Sequence, residues 1–328
     1  MFFLKNCLEE INNDKHSQSV ILGKDESGEV IIKKISELRN ILISGHYRTG
    51  KSTFIDSMLF TLISKLPSEE LRIVVANPFS IDLDPFEYLP HLFDKPSTNA
   101  EDALKSLKKC VKELKRREES NLKKPYLIIA LYEFVDWILY EDGFRENVET
   151  LAERGPDVGI YLILSTMRPL PHAVTDKLRE AFDTRILFAT DENGSLRILE
   201  ERGGETLEGN GQMLYKDMNT EDIIKLQAPY IWPEDLNLLQ RKVTEPSAEV
   251  SYKEMKELEP KRINYDHDPR FDEAKKLVID NQKASPSFLQ RKLRIGYNHA
   301  ARLIEELRDN KVISSPDKHG KREVLIKK

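Results

Sequence analysis

Cysteine is nearly absent. Cys7 and Cys110 are the two thiols in 328 residues. They cannot form a disulfide framework or a thiolate metal cluster, and they fit a reducing, cytoplasmic setting. Long apolar runs are missing too. The opening "MFFL" is followed at once by Lys5, Glu9 and Glu10, and nothing reaches the length of a signal-peptide core or a membrane span. No internal repeat is found. What is plentiful is charge, at 33% of residues against 39% apolar. That is a soluble globular composition, long enough for one large domain and a small one. The formal charge of -5 is uneven. From Asp268 to Lys328 there are 15 Lys and Arg against 9 Asp and Glu, a net of +6, so the rest carries -11. A basic end on an acidic body either meets a polyanion or is a solvated tail.

Apolar runs of strand length alternate with amphipathic stretches. "NILISG", "LRIVVANP", "PYLIIAL", "IYLILST" and "TRILFAT" read as strands, separated by helical stretches such as "KSTFIDSMLFTLISKL" and "NAEDALKSLKKCVKELKRREE". In the latter, Ala103, Leu104, Leu107, Val111 and Leu114 recur at helical spacing. Such alternation predicts an α/β domain with a mainly parallel sheet covered on both faces. The pattern fails from Lys242 to His267, which is charged, carries two prolines and has few bulky apolar residues. We read residues 1–241 as the α/β domain, 242–267 as a linker and 268–328 as a small second domain.

One motif carries chemistry on its own. Gly45, Gly50, Lys51 and Ser52 complete the G-x-x-x-x-G-K-[ST] pattern between a strand and an apolar helix. Glycines let the backbone wrap a phosphate, and the helix N-terminus adds a positive field. Lys51 can reach the outer phosphates, and the Ser52 hydroxyl can ligate Mg2+. The candidate nucleotide site is therefore the loop through Gly45, His46, Tyr47, Arg48, Thr49 and Gly50 to Lys51, Ser52 and Thr53, with ATP as ligand.

At this point the sequence resembles the FtsK/SpoIIIE DNA translocases, from about Leu22 to the C-terminus. "LGKDESGE", "GHYRTGKST", "LRIVVANPFSIDL", "YLPHL", "STMRP" and "GNGQMLY" follow the order of that family's motor segments. "DPRFDEAKKLV", "QRKLRIGYNHAARLIEEL" and "GKREVL" are similar to its C-terminal DNA-reading domain. The resemblance implies a RecA-like P-loop ATPase that assembles as a ring, usually a hexamer, around double-stranded DNA. It also implies a winged-helix domain that orients translocation. Glu133 would polarise the attacking water, and Arg185 matches a further family arginine.

The sequence departs from the family around that site. The family ends its third core strand with Asp-Glu-Phe, and here stand Tyr132, Glu133 and Phe134. A phenol, with a pKa near 10, cannot replace a carboxylate's charge at neutral pH. Met167 takes the place of a glutamine before Arg168 and Pro169, and Asn77, Pro78 and Phe79 replace Asp-Pro-Lys. Leu196 replaces an arginine after Ser195, with Arg197 one place along. One place on a helix rotates a side chain by about 100°. Nucleotide binding with weakened turnover is the expectation. Three readings follow: a working translocase, a nucleotide-binding DNA module that does not pump, or a regulatory subunit in a mixed ring of active relatives.

The last 61 residues suit a winged helix of three helices and a hairpin. Phe271, Ala274, Leu277 and Val278 share one face of the first helix. Ser285 caps the second, and Ala301, Ile304 and Leu307 are expected inward on the third. Asn298, Arg302 and Glu305 lie at i, i+4 and i+7 on that third helix, with chemistry suited to adenine, guanine and cytosine edges. Lys292, Arg294, Lys321 and Arg322 would hold phosphates. His299 stands where the family has an arginine.

Overall fold

The computed structural model describes residues 2, 4, 18–78, 84–140, 143–220, 222–231, 235, 270–293, 297–314 and 322–326. The chain divides into two compact units, Met1–Glu257 and Leu258–Lys328. The expected linker, 242–267, lies outside the described residues.

The larger unit is built on one nine-stranded sheet in the order β2-β1-β9-β8-β7-β3-β6-β5-β4. Its centre is β3 (Ile41–Ser44), β4 (Leu71–Ala76), β5 (Tyr126–Leu131), β6 (Ile160–Thr166) and β7 (Thr184–Phe188), all parallel. These are the five strands expected from the alternating pattern. Four more extend the sheet in antiparallel fashion: β1 (Ser19–Asp25), β2 (Val30–Lys34), β8 (Gln212–Asp217) and β9 (Ile223–Gln227). Parallel strands need a long crossover, whereas an antiparallel hairpin needs only a turn, so β1, β2 and β9 leave no strand–helix alternation, while β8 contains the late strand of "GNGQMLY".

Side chains alternate between the two faces of the parallel strands. Ile41, Ile43, Ile128, Ala130, Ile163, Ile186 and Phe188 share a core with Phe54, Ile55 and Met58 of α1 (Lys51–Lys65). Leu42, Leu127, Ile129, Leu131, Leu162, Leu164 and Leu187 face the opposite way. They pack with Leu104, Leu107 and Leu114 of α2 (Ala100–Ser120). Because every parallel strand is covered on both sides, its residues read as unbroken apolar runs. Asn99 starts α2 by accepting a hydrogen bond from the Asp102 N–H at 3.0 Å. Further helices of the larger unit are α3 (Phe134–Tyr140), α4 (Phe144–Arg154), α5 (Asp176–Glu180) and α6 (Glu192–Leu199).

The smaller unit has its own core. Helices α7 (Phe271–Asn281), α8 (Pro286–Leu293) and α9 (Tyr297–Asp309) bury Phe271, Ala274, Val278, Leu289, Ile304 and Leu307 together. The Ser285 hydroxyl accepts from Phe288 N–H at 3.3 Å, as the expected cap requires. On α9 the inward set includes Ala300 and Leu303. The expected Ala301 side chain lies outside the described residues. Ile313 bridges Val324 in antiparallel fashion, and Ser314 N–H donates to Glu323 O at 2.8 Å. That closes the base of the expected wing.

Candidate functional site

In an open parallel sheet, ligand chemistry gathers beyond the C-terminal ends of the strands. Here β3, β5, β6 and β7 end side by side. After β3 comes the 45–50 loop, after β5 Tyr132 and Glu133, and after β6 Met167 and Arg168. The loop is fixed from three directions. His46 N–H donates to Ala189 O beyond β7 at 2.8 Å, and Gly211 N–H donates to Thr49 O at 3.0 Å. The Thr49 hydroxyl donates to His46 O at 2.7 Å. Gly45 has φ 151° and Gly50 φ 114°, where side chains are strained. A Cβ on Gly45 would lie 2.6 Å from the Phe188 Cβ. These two glycines are therefore required by geometry.

Lys51 is buried to 5% exposure at the start of α1. Its ammonium donates to Gly45 O at 2.8 Å and His46 O at 2.9 Å. A phosphate in the loop would compete with those carbonyls for the same charge. The Glu133 Oε1 stands 4.0 Å from Lys51 Nζ. Glu133 sits in the left-handed region with φ 49°, which turns the chain off the end of β5. Its N–H donates to the Ser165 hydroxyl at 3.3 Å, and its Oε2 accepts from Met167 N–H at 2.7 Å. The Met167 thioether thus departs from the family, yet its backbone amide holds the acid. Ser52 is exposed in the first turn of α1, with Thr53 beside it, and His46, Tyr47 and Arg48 form the outer lip of the loop. The guanidinium of Arg48 lies 5.3 Å from the Tyr47 ring centre. This arrangement suits a nucleotide's phosphates and an ion bound mainly through them. Among the described residues no cluster of three or more His, Cys, Asp or Glu could hold a metal by itself.

Tyr132 is fixed on the same face of the sheet as α1. It shares that face's core with Ile128, Ala130 and Phe54, and its hydroxyl donates to Asp56 Oδ1 at 2.6 Å. Asp56 was missed in the sequence. The available signal was its i+4 spacing from Ser52. Burial pushes the Asp56 carboxyl up to about 7, against the lowering effect of the Tyr132 hydroxyl. Burial and the Asp56 charge together drive the Tyr132 phenol well above its ordinary range.

Arg185, which matches a family arginine, forms a strand-end ion pair. It is buried on β7, where it donates to Glu200 at 2.7 Å and to Ile198 O at 3.2 Å. Those partners hold the end of α6, and the hydrogen bond from Arg185 lowers the Glu200 carboxyl from its ordinary value. A strand arginine facing a helix end satisfies buried carbonyls. Arg197 instead lines an open cleft of about 770 Å³ beside the loop, with His46, Met167, Arg168, Leu196 and Glu200. Its guanidinium is 3.3 Å from Asp176. Arg168 pairs with Asp136 at 3.1 Å. Asn77 N–H donates to Ser97 O at 2.9 Å, and Phe79 lies outside the described residues.

In the smaller unit, Asn298, Arg302 and Glu305 occupy one side of α9 by position, and their side chains and that of His299 lie outside the described residues. Lys292 is exposed in the last turn of α8. Arg322 is half-buried beside the wing base, and Arg294 and Lys321 are not described.

Comparison with known families settles the kinship. The FtsK/SpoIIIE family profile matches residues 7–123, and the Ftsk gamma domain profile matches residues 265–327. In sequence both compact units are FtsK/SpoIIIE-like. The DNA translocase FtsK of Leptospira interrogans is 29% identical over 95% of this chain and 36% of its own length. That of Clostridium acetobutylicum is 28% identical over 98% of this chain and 45% of its own. The chain thus spans less than half the length of these FtsK relatives. Two solved structures share the fold of the FtsK-like larger unit. One is the pCW3 conjugation coupling protein TcpA with ATPγS, at TM-score 0.59 and 19% identity, covering 70% of this chain and 71% of that one. The other is the cytoplasmic domain of the Thermomonospora curvata type VII secretion ATPase EccC, at TM-score 0.61 and 20% identity, covering 69% and 31%. Among the described residues no helix is long and apolar enough to cross a membrane.

Proposed function

We propose that this chain is the motor and DNA-reading portion of an ATP-driven translocase of double-stranded DNA. It works with ATP and Mg2+ in the cytoplasm, as a subunit of a closed, hexameric ring. Lys51 neutralises the outer phosphates, Ser52 offers its hydroxyl to magnesium, and Glu133 orients the attacking water. The winged helix tracks the duplex through phosphate contacts and reads base edges from α9. The observation that carries the reading is the meeting of buried Lys51 and buried Glu133 at 4.0 Å, at the mouth of a complete phosphate loop. The biological setting is chromosome segregation or transfer of a mobile element. Tyr132 at the end of β5 favours a second reading, a nucleotide-gated DNA-binding subunit that joins a ring of active relatives.

A DNA-stimulated ATPase assay on the whole chain separates the two. Turnover that rises with duplex DNA is expected. Glu133→Gln should lower it by roughly 10²–10⁴-fold while nucleotide still binds. Lys51→Ala should lose the binding of a fluorescent ATP analogue. Native protein that binds the analogue and hydrolyses no ATP, with or without DNA, would establish the second reading.

A further inference from the structure

Position 132, just past β5, carries no acid, but a second carboxylate lies beside it. Strand alternation puts residue 132 on the α1 side, with Ile128 and Ala130. Any side chain at 132 is therefore directed toward the helix that begins at Lys51. Tyr132 spans that gap and ends on Asp56 at 2.6 Å. Its position is rigid. It is 3% exposed, its N–H donates to Ala76 O at 2.9 Å, and its carbonyl accepts from the Trp137 indole N–H at 2.9 Å.

Asp56 follows Ser52 by four residues on α1, so the two share one face, with Cβ atoms about 6 Å apart. Helical side chains lean toward the N-terminus, which here is the phosphate loop. Among the described residues, no lysine or arginine pairs with Asp56. A half-buried carboxylate with no paired lysine or arginine among the described residues, held by a phenol one helical turn from Ser52, is suited to a cation that arrives with the ligand.

We propose that Asp56, held by the Tyr132 phenol, supplies the outer carboxylate for the magnesium of bound nucleotide, in place of an acid at position 132. The inference rests on the proposed nucleotide site. The charge has moved from strand to helix, and Tyr132 has become the positioning residue that keeps it there. Magnesium, when bound, would draw the phosphate charge away from the attacking water. Asp56 would accept hydrogen bonds from the ion's water shell, as outer partners of metal sites commonly do.

The test is the affinity of the whole chain for a fluorescent, non-hydrolysable ATP analogue, measured in Mg2+ and again in EDTA. The ratio of the two is the magnesium gain. Asp56→Asn is nearly isosteric, and it should cut that gain on the order of tenfold or more. Tyr132→Phe keeps the ring and removes only the tether, and it should lower the gain as well. The exchanged chain, Asp56→Asn with Tyr132→Asp, should restore it. A merely structural hydrogen bond would shift the melting temperature of these variants and leave the gain alone. An unchanged gain in folded Asp56→Asn, or no recovery in the folded exchanged chain, overturns the assignment. Should Asp56→Asn not fold, Tyr132→Phe decides, and a gain equal to the native one overturns it. If native protein binds no analogue in either buffer, the nucleotide reading falls, and this inference falls with it.

Discussion

Asp56 has a measurable cost. Its carboxyl titrates near 7 in the folded chain against an ordinary value of 3.8. Between those values the folded state holds a proton that the unfolded state has released. The stabilisation this brings is complete below about pH 4 and is lost as pH rises through 7. Asp56→Asn removes the titration, and comparing it with native protein cancels every other group. A tenfold change in proton affinity corresponds to about 1.4 kcal/mol, and water at this half-buried side chain screens part of the effect, so a difference of about 1–2 kcal/mol is expected. In urea unfolding without nucleotide, the variant should be the more stable at pH 8, and its advantage should shrink toward pH 5. A native chain that is the more stable at pH 8 would contradict a burial cost at Asp56. A charge that costs stability at the mouth of a phosphate loop is the kind of local conflict that functional sites retain. Glu133 shows the same character, with a left-handed backbone in a non-glycine residue at a strand end.

At the scale of elements, the phosphate loop is held less by its own sequence than by strands distant from it. Gly45 is pressed against Phe188 of β7, and a Cβ on Gly50 would lie 3.2 Å from the Cα of Gly211 before β8. The late turn "GNGQ" therefore serves the loop directly, through Gly211 N–H and Thr49 O. Gly45→Ala would need both a strained φ and a displaced Phe188. We expect it to destabilise the larger unit by about 1–3 kcal/mol and to abolish analogue binding even where the chain still folds. Unfolding curves together with titration of the analogue check this. Analogue affinity equal to native would show that the loop tolerates the displacement. The cleft beside the loop has a similar origin. α6 is held against β7 by Arg185 and Glu200, and this brings Arg197 to the cleft wall.

At the scale of the whole molecule, an acidic body that carries the phosphate loop is joined to a basic unit with a separate core. Under the proposed function the residues of that basic unit bind DNA in two different ways. Lys321 and Arg322 would hold phosphates. Their alanine variants should weaken all duplexes alike and reduce the salt slope by about one for each phosphate no longer neutralised. Arg302, on α9, would read a base. Arg302→Ala should erase about 1–3 kcal/mol of preference among sequences and leave non-specific binding nearly intact. Selection from random duplexes at fixed salt, with native and variant chains, measures the preference, and titration at several salt concentrations measures the slope. An unchanged preference after Arg302→Ala would move base reading to another face of the helix. No preference in the native chain would leave a non-specific clamp.

The sequence by itself determined the five parallel strands, the helices between them, the phosphate loop, the Ser285 cap and the three-helix pattern of the C-terminal unit. All are local signals: a periodicity, a spacing, or a glycine where the backbone must turn. Tertiary structure decided what long-range geometry controls. β1 with β2 and β8 with β9 form hairpins with no helix to announce them, and β1 meets β9 across the chain. Arg185 matched a motif, yet its partner, Glu200, is chosen by how β7 and α6 pack. Tyr132 read as a lost charge, because a sequence shows which residue stands at a position and not what that residue reaches. The sheet brings it within 2.6 Å of Asp56, 76 positions away in the chain. A hydrogen bond between side chains that far apart is set by strand alternation and helix packing, and no local pattern encodes it.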